Sequence, residues 1–427
     1  MGGVVLGLLI IHNFSLFSSL EAFFSLFSTL LTTPWIVKTL AFALLVGSVM
    51  ELIQRSGAIA GFVDFIQHKL DLVHSPRSAL FLSYFIGIFI FIESSITALI
   101  AGAVGKPFAR QYKIPSEKLA FVCDSTAAPV SSLIVLNGWG ALLLGIISTQ
   151  IELYDLKNDP VELLANAVLF NFYAMSALAV TFGAIYFNID LGAMKDATYR
   201  EVESQYVENF ASKYYMLVPI FTMILSVFVY LYITGNGNIM QGSGSSSVFY
   251  TMITTLGVMF FYYILTKNMK PKEFFNGAFI GAKNLIGVVF ILLLAFAIGK
   301  ITGELHTGDY LASLVSNSLE VTYVAPLIFL LSAVIAFSTG TSWGTFSIMI
   351  PIAVPIALGT DADVALAIGA VISGGVFGDH ISPISDTTII SSIATNCDVV
   401  SHVKTQFPYS IVSACVTFIL FLIFSLK

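Results

Sequence analysis

The sequence predicts an all-α polytopic membrane protein, an inverted repeat in which each half holds a re-entrant hairpin and a broken helix. Three observations carry that expectation. Hydrophobic residues fill 57% of the 427 positions and charged residues only 10%, with a mean hydropathy of +0.91, whereas a soluble domain holds about 25% charged residues. Several apolar runs approach the ~20 residues that cross a bilayer as a helix, and they are continuous rather than alternating, which excludes a transmembrane β-barrel. Polar, proline-bearing patches then interrupt apolar stretches in corresponding places of the two halves.

The first run, 2–11, is too short to cross alone and is expected to be tilted, interfacial or part of an incomplete helix. It has no basic residue before it and no small-residue cleavage site after it, so a cleaved signal peptide is not expected. Residues 14–31, rich in Phe, Leu and Ser, read as an interfacial amphipathic helix, and 274–285 as another on the cytoplasmic side. Crossing helices are expected near 36–54, 161–187, 214–233, 248–266 and 285–299.

Their sides follow from Lys and Arg, which favour cytoplasmic loops. Basic connections hold Arg55, Lys69 and Arg77; Lys106, Arg110, Lys113 and Lys118; Lys195, Arg200 and Lys213; and Lys267, Lys270, Lys272 and Lys283. The connections between them, at 152–162, 235–247 and 359–363, are acidic or neutral. Residues 78–105 begin and end beside basic loops. Their arms, about 79–92 and 95–105, rise roughly 20 Å or less, short of the ~30 Å hydrocarbon core. They are therefore expected to form a re-entrant hairpin with residues 93–97 at its tip. Residues 322–358 lie between connections poor in Lys and Arg, with hydroxyls at 338–342 in the middle, and predict a second hairpin of opposite orientation.

Each hairpin precedes a helix expected to break at a polar patch: 117–150 at residues 124–132, and 362–395 at residues 379–388. The repeats are then about 35–188 and 270–426, with linking helices at about 213–266, all in one membrane domain over 1–427. Discontinuous helices in inverted repeats characterise secondary transporters. Pro129 and Pro383 are expected to break the helical ladder and free carbonyls. Carbonyls, hydroxyls and carboxylates together make an all-oxygen site suited to hard cations, while helix N-termini at the breaks suit anions.

Glu93, Asp124, Asp379 and Asp386 all fall at membrane depth, where a carboxylate costs roughly 3 kcal/mol on insertion scales. A desolvated carboxylate that binds either a proton or a cation supplies the competition an antiporter needs. The same acids also suit N-caps. His380 reads as a proton carrier or as a donor that orients its neighbours. Ser94, Thr97, Ser125, Thr126, Ser338, Thr339, Thr341, Ser382, Ser385 and Thr387 supply oxygens or bond back to helix carbonyls. Asn137, Trp139 and Trp343 sit beside the breaks and are expected to line the pathway or to pack the interface between repeats, with Asn137 a candidate ion or substrate ligand. Asp379, His380 and Ser382 do not suit a hydrolase triad, because triads assemble from distant segments. A net charge of −6 argues against nucleic acid, and the scattered Cys123, Cys397 and Cys415 form no metal or disulfide spacing.

Four segments, "SEKLAFVCDSTAAPVSSLIVLNGWGA", "STGTSWGTFSIMIPIAVP", "GDHISPISDTTIISS" and "HVKTQFPY", resemble signatures of the NhaC-type Na⁺/H⁺ antiporter family of the ion transporter superfamily, from about residue 35 onward. The resemblance implies an elevator-type transport domain of hairpins and broken helices, a scaffold from the remaining helices, a homodimer and an inner-membrane location. Na⁺ and H⁺ are then the transported or coupling ions, with no resident cofactor. It places Na⁺ at Asp124, Ser125, Thr126, Asp379, Ser382 and Asp386, with Ser338, Thr341 and Ser385 as further candidates. Many relatives carry paired aspartates at the first hairpin tip, where this chain has Glu93, Ser94 and Ser95. Some relatives exchange malate and lactate or carry amino acids, so a coupled carrier of small organic anions or amino acids is the alternative to Na⁺/H⁺ exchange.

Overall fold

Proline, serine and aspartate punctuate the apolar runs, and most helices of the computed structural model begin at them. It describes residues 2–58, 61, 65, 73–91, 94–134, 137–200, 211–237, 242–305, 310 and 320–426. The helices are α1 (Gly2–Ile11), α2 (Leu16–Thr32), α3 (Pro34–Arg55), α4 (Pro76–Phe89), α5 (Ser94–Gln111), α6 (Ser116–Leu133), α7 (Gly138–Leu153), α8 (Pro160–Leu169) and α9 (Phe172–Tyr186). The second half holds α10 (Tyr214–Thr234), α11 (Gly244–Leu265), α12 (Pro271–Asn284), α13 (Ile286–Glu304), α14 (Val324–Thr339), α15 (Ser342–Gly359), α16 (Val364–His380), α17 (Asp386–Thr395) and α18 (Val399–Ser425). Proline opens α3, α4, α8 and α12, where its missing N–H would be unpaired in any case. Asp159, Asp363 and Asp398 cap α8, α16 and α18 by accepting from first-turn N–H groups.

Seven of these helical stretches are long and apolar enough to cross a bilayer, and the bent pair α6–α7, kinked by 47°, adds an eighth. The chain is a polytopic helical membrane protein. Every helix of the sequence reading has a counterpart, but several boundaries move. The segment expected as one helix over 161–187 is α8 followed by α9, interrupted at Phe170 and Asn171. The first hairpin's second arm reaches Gln111, well beyond 105. The two arms expected as a second hairpin each meet the length and hydropathy of a full crossing, as 321–339 and 342–359.

Pro129 does not break its helix. α6 runs through it to Leu133, and α7 begins at Gly138. A helical proline removes one N–H and frees one carbonyl, here that of Ser125, and packing against α4, α5 and α9 carries the helix onward. Pro383, in contrast, lies inside the break between α16 and α17.

Two apolar cores organise the helices. One centres on α7, α8, α14, α15 and α16; the other joins α3, α4, α5 and α6 with α10, α11 and α12. Among the described residues, α1–α3 and α10–α13 pack chiefly on each other and meet the remaining helices chiefly along α7 and α15.

Candidate functional site

The two breaks are built by different side chains. Asn137 organises the first. Its Oδ1 accepts from the backbone N–H groups of Trp139 (2.9 Å) and Gly140 (3.1 Å), which caps α7, while its Nδ2 donates to the carbonyls of Phe91 (2.9 Å) and Ser131 (2.8 Å). One buried amide thus ties the segment that follows α4, at Phe91, to both halves of the broken helix. Ser382 plays the corresponding part in the second break, donating to the Phe337 carbonyl near the end of α14 at 2.9 Å. Gly340 follows α14 at φ +65, and a Cβ there would stand 2.7 Å from Ile384 Cγ1. Only glycine combines that left-handed backbone with so close an approach.

Each break therefore faces the turn between the two helices that precede it. The two assemblies also touch each other: Trp139 and Trp343 meet edge to face, with ring centroids 6.2 Å apart.

Asp124, on α6, is completely buried and is the point where the halves join. Its Oδ2 accepts from Gln406 Nε2 (2.7 Å), His402 Nε2 (3.3 Å) and Thr388 Oγ1 (3.3 Å), and its Oδ1 from Ser391 Oγ (3.4 Å). These partners stand on α17 and α18. Gln406 Nε2 also donates to the His380 carbonyl at 2.8 Å. His380 bridges in turn, with Nε2 3.1 Å from the Asp124 carbonyl and Nδ1 3.1 Å from the Tyr173 hydroxyl. A buried carboxylate surrounded by four donors is stable in place because most of its acceptor capacity is used.

Asp379 is different. It is 1% exposed, and Thr387 Oγ1 reaches its Oδ2 only at 3.5 Å. Its Oδ1 is buried with no hydrogen-bond partner among the described residues. Ser342, Ser385 and the carboxylate of Asp386 lie around it. Asp386 accepts from the Thr387 backbone N–H at 2.8 Å. This is an all-oxygen donor set with an open carboxylate oxygen, the chemistry a hard monovalent cation or a proton takes. Among the described residues, no group of three His, Cys, Asp or Glu side chains is placed to hold a metal ion.

The other sequence candidates divide. Ser94 and Thr97 are buried at the start of α5, with Thr97 hydrogen-bonded to the Ile90 carbonyl across the hairpin tip. Glu93 lies outside the described residues. Ser125 is buried beside Asp124, and the Thr126 hydroxyl donates back to the Val122 carbonyl at 2.9 Å. Ser338 and Thr339 are exposed and bond back to Val334 and Ile335, so they are not brought to Asp379. Thr341 caps α15 through the Gly344 N–H, and Ser385 caps α17 through the Thr388 N–H.

Sequence reasoning gave no role to His402, Gln406, Thr388, Ser391 or Tyr173. The signal for two of them was present: His402 and Gln406 stand four residues apart, on one face of a helix that is otherwise largely apolar.

The profile of the Na⁺/H⁺ antiporter family matches residues 137–426. An uncharacterized Haemophilus influenzae protein is 31% identical over 397 residues, covering 88% of this chain and 76% of the relative. The malate-2H⁺/Na⁺-lactate antiporter of Bacillus subtilis is 34% identical over 155 residues, 35% of this chain and 32% of that protein. The structure of the Alcanivorax borkumensis YdaH transporter superposes with a TM-score of 0.67 at 13% identity, covering 95% of this chain and 88% of the other, which shows a shared fold.

Proposed function

The chain belongs to the Na⁺/H⁺ antiporter family, and from that premise we propose that it exchanges Na⁺ for H⁺ across the cell's inner membrane, with Asp379 as the carboxylate that carries either ion. The observation that carries this reading is the buried, unpartnered Oδ1 of Asp379. An isolated buried charge is costly unless neutralised, so the group is served by a proton or by a cation and holds one at a time. Ser385, Thr387, Ser342 and Asp386 supply the further oxygens. On the side of high proton concentration Asp379 gains H⁺ and releases Na⁺; on the other side the proton leaves and Na⁺ takes its place.

Asp124 acts in this scheme as a positioning group. Its donors from α17 and α18 fix the second break against α6, and Ser125 and Thr126 stand behind it. In the proposed elevator-type movement, α4–α9 and α14–α18 travel together against a scaffold of α1–α3 and α10–α13. That the two groups meet chiefly along α7 and α15 supports this division, and the family resemblance supports an inverted-repeat origin and a homodimer.

The second reading is a Na⁺- or H⁺-coupled carrier of small organic anions or amino acids. It is favoured by the stretch shared with a protein named as a malate/lactate antiporter. The test is purified protein in liposomes with an interior pH dye and an imposed proton gradient. Collapse of the gradient by Na⁺ alone, lost in Asp379→Asn, is expected. Silence with Na⁺, relieved by malate, lactate or an amino acid, would assign the second reading, and wild-type exchange by Asp379→Asn would overturn the role of that carboxylate.

A further inference from the structure

α12 has two opposed faces. Phe274, Gly277 and Gly281, at spacings of three and four, are buried. They press the helix onto α3 so closely that a Cβ on Gly281 would stand 2.1 Å from the Gly47 carbonyl oxygen, and one on Gly47 would stand 2.3 Å from that of Gly281. Ser48 Oγ donates to the Ala278 carbonyl at 2.7 Å. The helix is clamped, backbone against backbone.

The opposite face carries Lys272, Phe275, Phe279 and Lys283, at spacings of three, four and four, which is one stripe of a helix. Phe275 and Phe279 are 62% and 70% exposed, and both lysines are exposed. Lys267 and Lys270 precede them, and Glu273, the one acid of the helix, accepts from the Lys270 backbone N–H. α12 joins the basic end of the spanning helix α11 to the start of the apolar α13 within 14 residues. It therefore lies at the level of the bilayer surface, on the side where Lys and Arg gather. Two aromatics flanked by cations on the outer stripe of such a helix place rings at the acyl boundary and ammonium groups at the phosphates.

We propose that α12 is a binding site for anionic phospholipid headgroups of the cytoplasmic leaflet, with Lys272 and Lys283 contacting the phosphates and Phe275 and Phe279 inserting beside them. Because α12 meets α3 backbone to backbone at Gly47 and Gly281, bound lipid anchors the α3 side of the molecule in the membrane. The inference does not depend on which ion or solute is carried.

The test is titration of the purified protein in neutral detergent with a fluorescent phosphatidylglycerol, with phosphatidylcholine and free inorganic phosphate as comparisons. Phosphatidylglycerol is expected to bind more tightly than phosphatidylcholine, and phosphate not to compete. Lys272→Gln/Lys283→Gln should weaken phosphatidylglycerol roughly 25-fold, about fivefold per lysine, and leave phosphatidylcholine unchanged. Lys272→Arg/Lys283→Arg should restore it, and Lys157→Gln, in the acidic connection after α7, should change nothing. Equal affinity for the two lipids, or an unaltered phosphatidylglycerol affinity in the double glutamine variant, would overturn the proposal. Competition by free phosphate would do the same, because it would assign the lysines to a soluble anion.

Discussion

Replacing Gln406 with leucine removes the two shortest hydrogen bonds of the Asp124 assembly, at 2.7 Å to Oδ2 and 2.8 Å to the His380 carbonyl. Leucine retains most of the side-chain volume, so the cavity term is small. Interhelical hydrogen bonds in a membrane protein average ~0.6 kcal/mol and reach ~1.7, while a buried acceptor left short of a donor costs about 1–3 kcal/mol. The carboxylate keeps His402, Thr388 and Ser391, so its share falls at the low end. The His380 carbonyl, in the last turn of α16, has no intrahelical N–H to turn to. The total is about 2–3 kcal/mol, and a melting point lowered by on the order of 5 °C is expected. Transport should fall about tenfold or more, because the lost bonds join α18 to both α6 and the end of α16. Thermal unfolding in detergent and Na⁺-driven proton flux in liposomes measure the two effects. A variant with wild-type melting and wild-type flux would show that Asp124 does not need Gln406 to hold its position, and the role given to that amide would fall.

Further predictions follow from single residues. Asp379→Asn should melt within a few degrees of wild type and carry no Na⁺/H⁺ exchange, since the substitution keeps the shape and removes the exchangeable charge; a variant that unfolds instead would make Asp379 structural. Asn137→Ala should destabilise by about 2–3 kcal/mol, from one lost cap and two lost interhelical bonds, seen as a lower melting temperature; no shift would mean the break holds its shape without this amide. Cys397, in the connection between α17 and α18, has its thiol pushed up to about 12 by burial and by the neighbouring Glu117 carboxylate. Only the thiolate reacts, so labelling by maleimide near neutral pH should be roughly a thousandfold slower than for an ordinary thiol, should quicken as pH rises, and should quicken in Glu117→Gln. Prompt labelling at pH 7 with the other two cysteines replaced would refute that placement.

Much of the fold was legible because the constraint is severe. An apolar run of set length must be helical at membrane depth, and Lys and Arg mark its ends. The broken helices were found from hydroxyls and prolines, but the first break was misplaced. Proline removes one N–H and leaves the helix free to continue where neighbours support it, as α6 does through Pro129 to Leu133. What ends α6 is a side chain, Asn137, whose amide replaces four backbone partners. No local pattern announces such a substitution, because Phe91 and Ser131 become its neighbours only after folding. The site was legible as a set of acids and illegible as a division among them. Asp124 and Asp379 look alike in sequence; what separates them is that Gln406 and His402, nearly three hundred residues beyond Asp124, fold onto one and not the other.

That separation bears on how an ion bound at one carboxylate reaches the rest of the molecule. Asp124 already accepts four donors, so an ion arriving there must displace hydroxyls or an amide that hold α17 and α18 in place. Asp379 would take an ion at Oδ1 without breaking any bond among the described residues. Its neighbour in sequence, His380, carries one ring nitrogen against the Asp124 carbonyl and the other against Tyr173. Occupancy at Asp379 is therefore one residue from a bridge that links α6, α9 and α16. In the proposed exchange, a change in the charge of Asp379 would shift the balance of attraction across the 381–385 break, and Gln406, bonded both to the His380 carbonyl and to Asp124, would pass that shift to α18 and α6 together. In the proposed exchange, ion binding and helix position are joined by three side chains, of which only Asp379 needs to be open.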